Sequence, residues 1–254
     1  MPDQRRRPTG RSSPAVAKLG NPVPEPAVTA MFDAIAPAYD RMNSLMTLGR
    51  DAGWRRAARD ATGLRTGDAA IDVACGTGKL AALLAETVGP FGRVEAVDLS
   101  EGMIARGRRV YRDLVQLHFR VANALALPYA DGEFDAATIA FGLRNLADYE
   151  AGFREMARVV RPGGTVVCLE LSLPRWRTYA RFYHALFRRV APLAGAIVAR
   201  QGGAYRYLPD SLDAFPSAEQ LAATMRAAGL VDVAYRRLTT GVVALHRGRV
   251  PLRG

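Results

Sequence analysis

A chain of 254 residues, 49% of them hydrophobic and 23% charged, carries enough apolar surface for one large α/β core or two small ones, which excludes a largely disordered chain. Its formal net charge of +11 favours anionic partners or an anionic membrane surface; five cations and one anion in the first twenty residues supply +4 of it and leave +7 on the rest. Two cysteines, Cys75 and Cys168, exclude a disulfide framework and fit a reducing cytoplasm, and no run of about 18 apolar residues is present to span a membrane.

Residues 1–27 hold Pro, Ser and Arg without the apolar stretch of a signal peptide, and are expected to form a disordered basic tail ahead of a single domain, 28–254. The stretch 28–62 reads as two helices broken near Pro37, an N-terminal helical cap. From AAIDVACG onward, apolar runs alternate with helical patterns: KLAALLAETV, GRVEAVDLS, EGMIARGRRVYRDL, VQLHFRVAN, FDAATIAFG, YEAGFREMARVV, a turn at RPGG, then TVVCLELS. Such alternation predicts βαβ units and a parallel sheet. An inserted segment, 173–210, places Trp176, Tyr179, Phe182, Tyr183, Leu186, Phe187 and Val190 on one helical face, with Arg177, Arg181 and Arg188 roughly opposite. It reads either as a helix packed on the domain with a solvated basic face or as a lid that also touches anionic lipid. After the helix SAEQLAATMRAAGL, stopped at Gly229, two strands follow without a helix between them. Seven strands closing on an antiparallel hairpin, with helices on both faces, make the Rossmann-like α/β layout of class I methyltransferases.

The loop CGTG falls at the first strand-to-helix turn, where Gly76 and Gly78 let backbone approach a ligand and the helix start offers free N–H groups. Gly76, Gly78 and Ala81 also satisfy the GxGxxA dinucleotide pattern, so the loop alone does not choose the ligand; the P-loop spacing is absent. Asp98, twenty-two residues after Gly76, is placed to bind both hydroxyls of a ribose. Asp72 precedes the glycines inside a strand, where it either caps the loop or meets a ligand cation such as the α-amino group of S-adenosylmethionine (SAM). Asn123-Ala124, after the third strand, stands where an adenine edge would lie. Together these features favour SAM as methyl donor. His118, His184 and His246 lack ligand spacing, so no metal is expected, and neither a GxSxG elbow nor a [DN]PP[YF]-like segment occurs to suggest a hydrolase or a nucleic-acid methyltransferase.

From about Val28 to Gly248 the chain resembles the menaquinone/ubiquinone biosynthesis C-methyltransferase family. The likeness is carried by YDRMNSLMTLGRDAGWRR, DVACGTG, ANALALPYADGEFD, FGLRN, RVVRPGGTVVCLELS, AYRYL and GVVALHRG. It implies SAM contacts from Thr77, Asp98, Asn123 and Ala124, beside Asp72, Gly76 and Gly78. It further implies methylation of the ring of a demethylated isoprenoid quinol, demethylmenaquinol or a polyprenyl benzoquinol, by a cytoplasmic enzyme touching the inner face of the plasma membrane. Nucleic acid is not an expected partner, and the oligomeric state, homodimer included, is left open. Other readings are a SAM methyltransferase of another lipophilic small molecule and a non-enzymatic binding module. The chain departs from the family pattern at Thr47, Asp51, Lys79 and Ala140, where Ser, His, Asp and Ser are usual. A ring carbon becomes nucleophilic once the adjacent hydroxyl loses its proton, which calls for a proton acceptor and a fixed cation. Arg144 is the expected cation, Asn145 an orienting amide, and Tyr39 with Asp40 the expected proton relay; the plainer alternative for Arg144 is an ion pair with Asp148 or Glu155.

Overall fold

The computed structural model describes residues 19–172 and 215–252, apart from Pro22, Ala38 and Leu48. The first eighteen residues and the expected lid, 173–210, therefore lie outside the described residues. Three helices open the chain: α1 (Glu25–Ile35), α2 (Tyr39–Met46) and α3 (Asp51–Thr62). The expected break at Pro37 separates the first two. A second break follows α2, where the Thr47 hydroxyl donates back to the Asn43 carbonyl (2.8 Å) and the Gly49 N–H reaches the Ser44 carbonyl (2.7 Å). These bonds satisfy the last carbonyls of α2 and let the chain turn into α3.

The alternating part runs β1 (Ala69–Val73), α4 (Lys79–Val88), β2 (Arg93–Asp98), α5 (Glu101–Val110), β3 (Leu117–Val121), β4 (Phe134–Ala140), α6 (Tyr149–Val159) and β5 (Val160–Leu171). It closes with α7 (Ala218–Ala227), β6 (Val231–Leu238) and β7 (Val243–Arg249). The seven strands form one sheet in the order β3-β2-β1-β4-β5-β7-β6, parallel except for β7, which is antiparallel to both of its neighbours. RPGG, expected as a turn, is instead the irregular start of β5, since the register against β4 shifts between Phe134 and Ala136.

The central strands are buried on both faces, which is why AAIDV and FDAATIA read as nearly unbroken apolar runs. One face packs α3 and α4 through Trp54, Ala58, Leu80 and Leu84, and the other packs α6 and α7 through Phe153, Met156, Leu221 and Met225. Strand order turns back between β1 and β4, so their carboxyl ends diverge and leave a crevice between them. The chain is docked well before the expected domain start at Val28. Tyr149 N–H donates to the Leu19 carbonyl (2.9 Å) and Asn21 N–H to the Leu146 carbonyl (2.8 Å). Gly20 passes between these bonds so closely that a Cβ there would lie 1.9 Å from the Ala147 carbonyl oxygen.

The end of β4 explains how a charge follows an apolar strand. Arg144 is buried, and its Nη1 donates to Glu170 of β5 (2.6 Å) and to the Phe141 carbonyl (2.8 Å). The ion pair pins the turn after β4 to the neighbouring strand. Removing one member of a buried pair strands the other charge, at a cost of about 3–5 kcal/mol. Arg144→Ala should therefore lower the unfolding free energy from urea titration by an amount in that range, and Arg144→Met combined with Glu170→Leu should recover most of the loss; an unchanged midpoint in Arg144→Ala would contradict the assignment.

Candidate active site

The crevice at the β1–β4 switch point opens into a cleft with about 950 Å³ of empty space. Its floor is the carboxyl ends of β1, β2 and β4. The Gly loop forms one wall, residues 122–125 another, and α1 with Tyr39 covers it from the front. Of the residues expected at a SAM site, Asp72, Gly76, Thr77, Asp98, Asn123 and Ala124 all line this cleft.

Each is held by its neighbours. Asp98 accepts from Gly76 N–H (2.8 Å) and Ser100 N–H (2.9 Å), one on each carboxylate oxygen, which fixes the group and leaves lone pairs for two ribose hydroxyls. Burial raises its pKa, and these backbone bonds pull it back. Gly76 adopts φ 57° and Gly78 φ 85°, conformations that suit residues without a Cβ. Gly78 stands apart from the cleft wall and meets Phe119 instead, where a Cβ would approach the ring to 2.5 Å. Asn123 turns its Oδ1 onto Leu125 N–H (2.8 Å), and its Nδ2 donates to Glu25 of α1 (3.2 Å).

Asp72 is the most perturbed carboxyl of the cleft. It is 1% exposed and accepts from the Thr138 hydroxyl at 2.6 Å. Burial pushes its pKa up to about 7, while the Thr138 bond and the charge of Arg55 act against the rise. A shielded carboxylate in a ligand cleft fits an ammonium group, the fit that the α-amino group of SAM requires.

The expected catalytic residues separate into two groups. Tyr39 and Asn145 line the cleft. Asp40 and Arg144 are near it but stand behind its lining. Asp40 accepts from the Thr77 hydroxyl (2.7 Å) and from Arg106 Nε (3.1 Å), with Lys79 Nζ at 3.6 Å, so it clasps α2 to the Gly loop. Arg144 is engaged with Glu170.

Two of the unusual residues meet each other. Lys79 Nζ lies 3.7 Å from Asp51 Oδ2, and Asp51 also accepts from Arg55 (2.6 Å) and from Thr47 Oγ1 (3.2 Å). Opposite charges at positions 51 and 79 thus accommodate one another. Sequence reasoning missed Arg55, Phe141 and Glu25 as cleft residues. Only Arg55 left a signal: it stands four residues after Asp51, a helical ion-pair spacing.

A sheet of this order with the carboxylates of Asp98 and the buried Asp72 lining the cleft at its switch point fits the class of SAM-dependent methyltransferases. Residues 21–250 match the model of the ubiE/COQ5 methyltransferase family, and the chain belongs to that family. Relatives include a demethylmenaquinone methyltransferase of Thermus thermophilus, 45% identical over 222 residues that span 87% of this chain and 100% of that one. A ubiquinone/menaquinone biosynthesis C-methyltransferase UbiE of Klebsiella pneumoniae is 41% identical, covering 87% and 89%. Among solved structures, a putative methyltransferase in complex with the Haloferax volcanii Trm112 activator superposes with a TM-score of 0.64 at 20% identity, covering 87% of this chain and 97% of that one. The [4+2]-cyclase SpnF superposes with a TM-score of 0.65 at 18% identity, covering 93% and 100%; such likenesses show the fold alone.

The ionised form of Asp72 is the one that holds an ammonium, so raising the pH through about 7 should tighten cofactor binding. Between pH 6 and 7, the Kd of S-adenosylhomocysteine should fall by up to about tenfold and then level off. Calorimetric titration of Asp72→Asn should show weaker binding without this slope; a wild-type Kd that stays flat over the same interval would refute the role.

Proposed function

We propose that the chain transfers a methyl group from SAM to a ring carbon of a demethylated isoprenoid naphthoquinol, converting demethylmenaquinol to menaquinol. The observation that carries this reading is similarity over 87% of the chain, at 41–45% identity, to relatives named demethylmenaquinone methyltransferase. The cleft supports it, since Val28, Phe32, Tyr39, Phe141 and Leu146 give it a largely apolar wall beyond the acidic cofactor residues. A polyprenyl benzoquinol of ubiquinone biosynthesis is the second reading, favoured by relatives whose name covers both quinones.

SAM supplies an electrophilic methyl group on a sulfonium. The chain's part is to hold the ring in line, exclude water and favour the ionised ring oxygen. Asp72 and Asp98 anchor the two ends of the cofactor. Tyr39 and Asn145, which both line the cleft, would hydrogen-bond the ring oxygens and relay a proton. Arg144 acts by position: paired with Glu170, it fixes the turn that presents Asn145, and its charge is largely neutralised there. Asp40 serves by holding Thr77 and the Gly loop.

Among the described residues no helix is long and apolar enough to cross a membrane. A lipophilic substrate therefore calls for peripheral contact, and the basic tail, with the inserted segment, would supply it at an anionic inner membrane face. The enzyme would work there as a cytoplasmic protein, with no nucleic acid partner.

Incubation with labelled SAM and chemically reduced demethylmenaquinone, followed by mass spectrometry, should yield a ring-methylated product. Demethylated polyprenyl benzoquinol should react more slowly; preference for the benzoquinol would select the second reading, and no transfer to either would refute both. Tyr39→Phe and Asn145→Ala should each lower kcat by about 10²-fold, the scale of a general acid–base or orienting contribution. Sedimentation with phosphatidylglycerol vesicles should show binding that weakens as salt is raised, and indifference to lipid charge would refute the membrane contact.

A further inference from the structure

Arg55 has no part in the mechanism so far, yet among the described residues it is the guanidinium that lines the cleft. It lies on α3, is 7% exposed and lines the cleft together with Asp72, Gly76 and Lys79. Two contacts fix it. Nη1 donates to Asp51 at 2.6 Å, and Cζ sits 5.2 Å from the centroid of the Phe141 ring. The cation–π contact and the Asp51 bond together restrain the guanidinium. Phe141 is itself held, at a left-handed φ of 59°, by its N–H bond to the Leu169 carbonyl (2.8 Å) and by packing on Trp54.

The surroundings do not neutralise this corner. Arg55, Lys79 and Arg106 are tied to Asp51 and Asp40, three cations to two anions, a local excess of +1. Asp72 lines the same cleft, close enough for the charge of Arg55 to oppose the effect of burial on it. A cation and an anion facing one small space complement a zwitterion.

We infer that Arg55 is a cofactor-binding residue, its guanidinium receiving the α-carboxylate of the methionine part of SAM while Asp72 receives the α-ammonium. The inference rests on the reading of the cleft as a SAM site and is independent of which quinol is methylated. A phenolate is the alternative anion for Arg55, but it would bring a lone negative charge next to Asp72. The amino-acid end of SAM carries its own compensating ammonium. Asp51 then acts as a positioning residue, holding the guanidinium by one edge and leaving other donors for a forked contact.

Calorimetry with three probes tests this on the full chain: S-adenosylhomocysteine, its decarboxylated analogue, and 5′-methylthioadenosine, which lacks the whole amino-acid end. Wild type should bind S-adenosylhomocysteine roughly 10- to 100-fold tighter than the decarboxylated analogue, the range of a charge-assisted hydrogen-bonded contact. Arg55→Met should abolish that preference while leaving the Kd of 5′-methylthioadenosine unchanged, which also reports that the site is folded. Arg55→Lys, a point charge without the fork, should keep only part of the preference. Equal wild-type affinity for the first two probes would overturn the proposal, even if the variants fail to fold. So would an Arg55→Met protein that keeps the preference and loses only quinol KM. If wild type binds none of the probes, the cofactor reading itself falls.

Discussion

A carboxylate shut away from water at the end of the central strand sets the terms for the rest of the site. Asp72 sits between β2 and β4 in register with Ala96 and Thr138, where no solvent reaches it. An isolated ionised group there is strongly disfavoured, and a hydroxyl from the next strand, a cation from α3 and a ligand ammonium are the means of supporting it. The parallel sheet thus creates an electrostatic need at its switch point, at the floor of the cleft.

The N-terminal helices close the cleft through ionic clasps. Asp33 of α1 accepts from Ser100 (2.5 Å) and Gly102 N–H (3.0 Å) at the start of α5, while Asp40 of α2 holds Thr77 and Arg106. Asp51 of α3 joins Arg55 to Lys79. The residues at positions 51 and 79, each unusual by itself, form one local arrangement in which the acid has moved to α3 and the base to α4. Asp51 keeps Arg55 and Lys79 keeps Asp40 as second partners, so replacing either residue alone removes their mutual contact but leaves the other with one counterion.

Much of this was legible in the amino-acid order. Strand ends are marked by Gly76 and Asp98, and the helix starts by Ser100, Asp148 and Ser217, each of which accepts from a backbone N–H in the first turn. The cofactor residues could be read because they lie within a few positions of a strand end. What sequence could not supply were partners distant along the chain. Glu170 is twenty-six residues from Arg144 and on another strand, so local spacing pointed to Asp148 or Glu155 instead. Asp40 looked like a base because its position near the cleft was inferable, whereas the cations that engage it come from α4 and α5. The second break in the cap depends on Thr47 turning back on its own helix, a contact that periodicity does not record.

The strap of residues 19–21 gives the turn after β4 a second anchor. Glu170 secures it from inside the sheet, and Leu19 and Asn21 secure it from outside, with Gly20 lying flat against Ala147. The loop that carries Asn145 is thereby suspended at both ends, so its geometry depends on a stretch that composition alone assigns to the tail. Among the described residues, the contacts that hold this loop begin at the strap and not at the first helix. Trimming the chain to its helices would leave a sheet intact and an active-site loop hanging by one side.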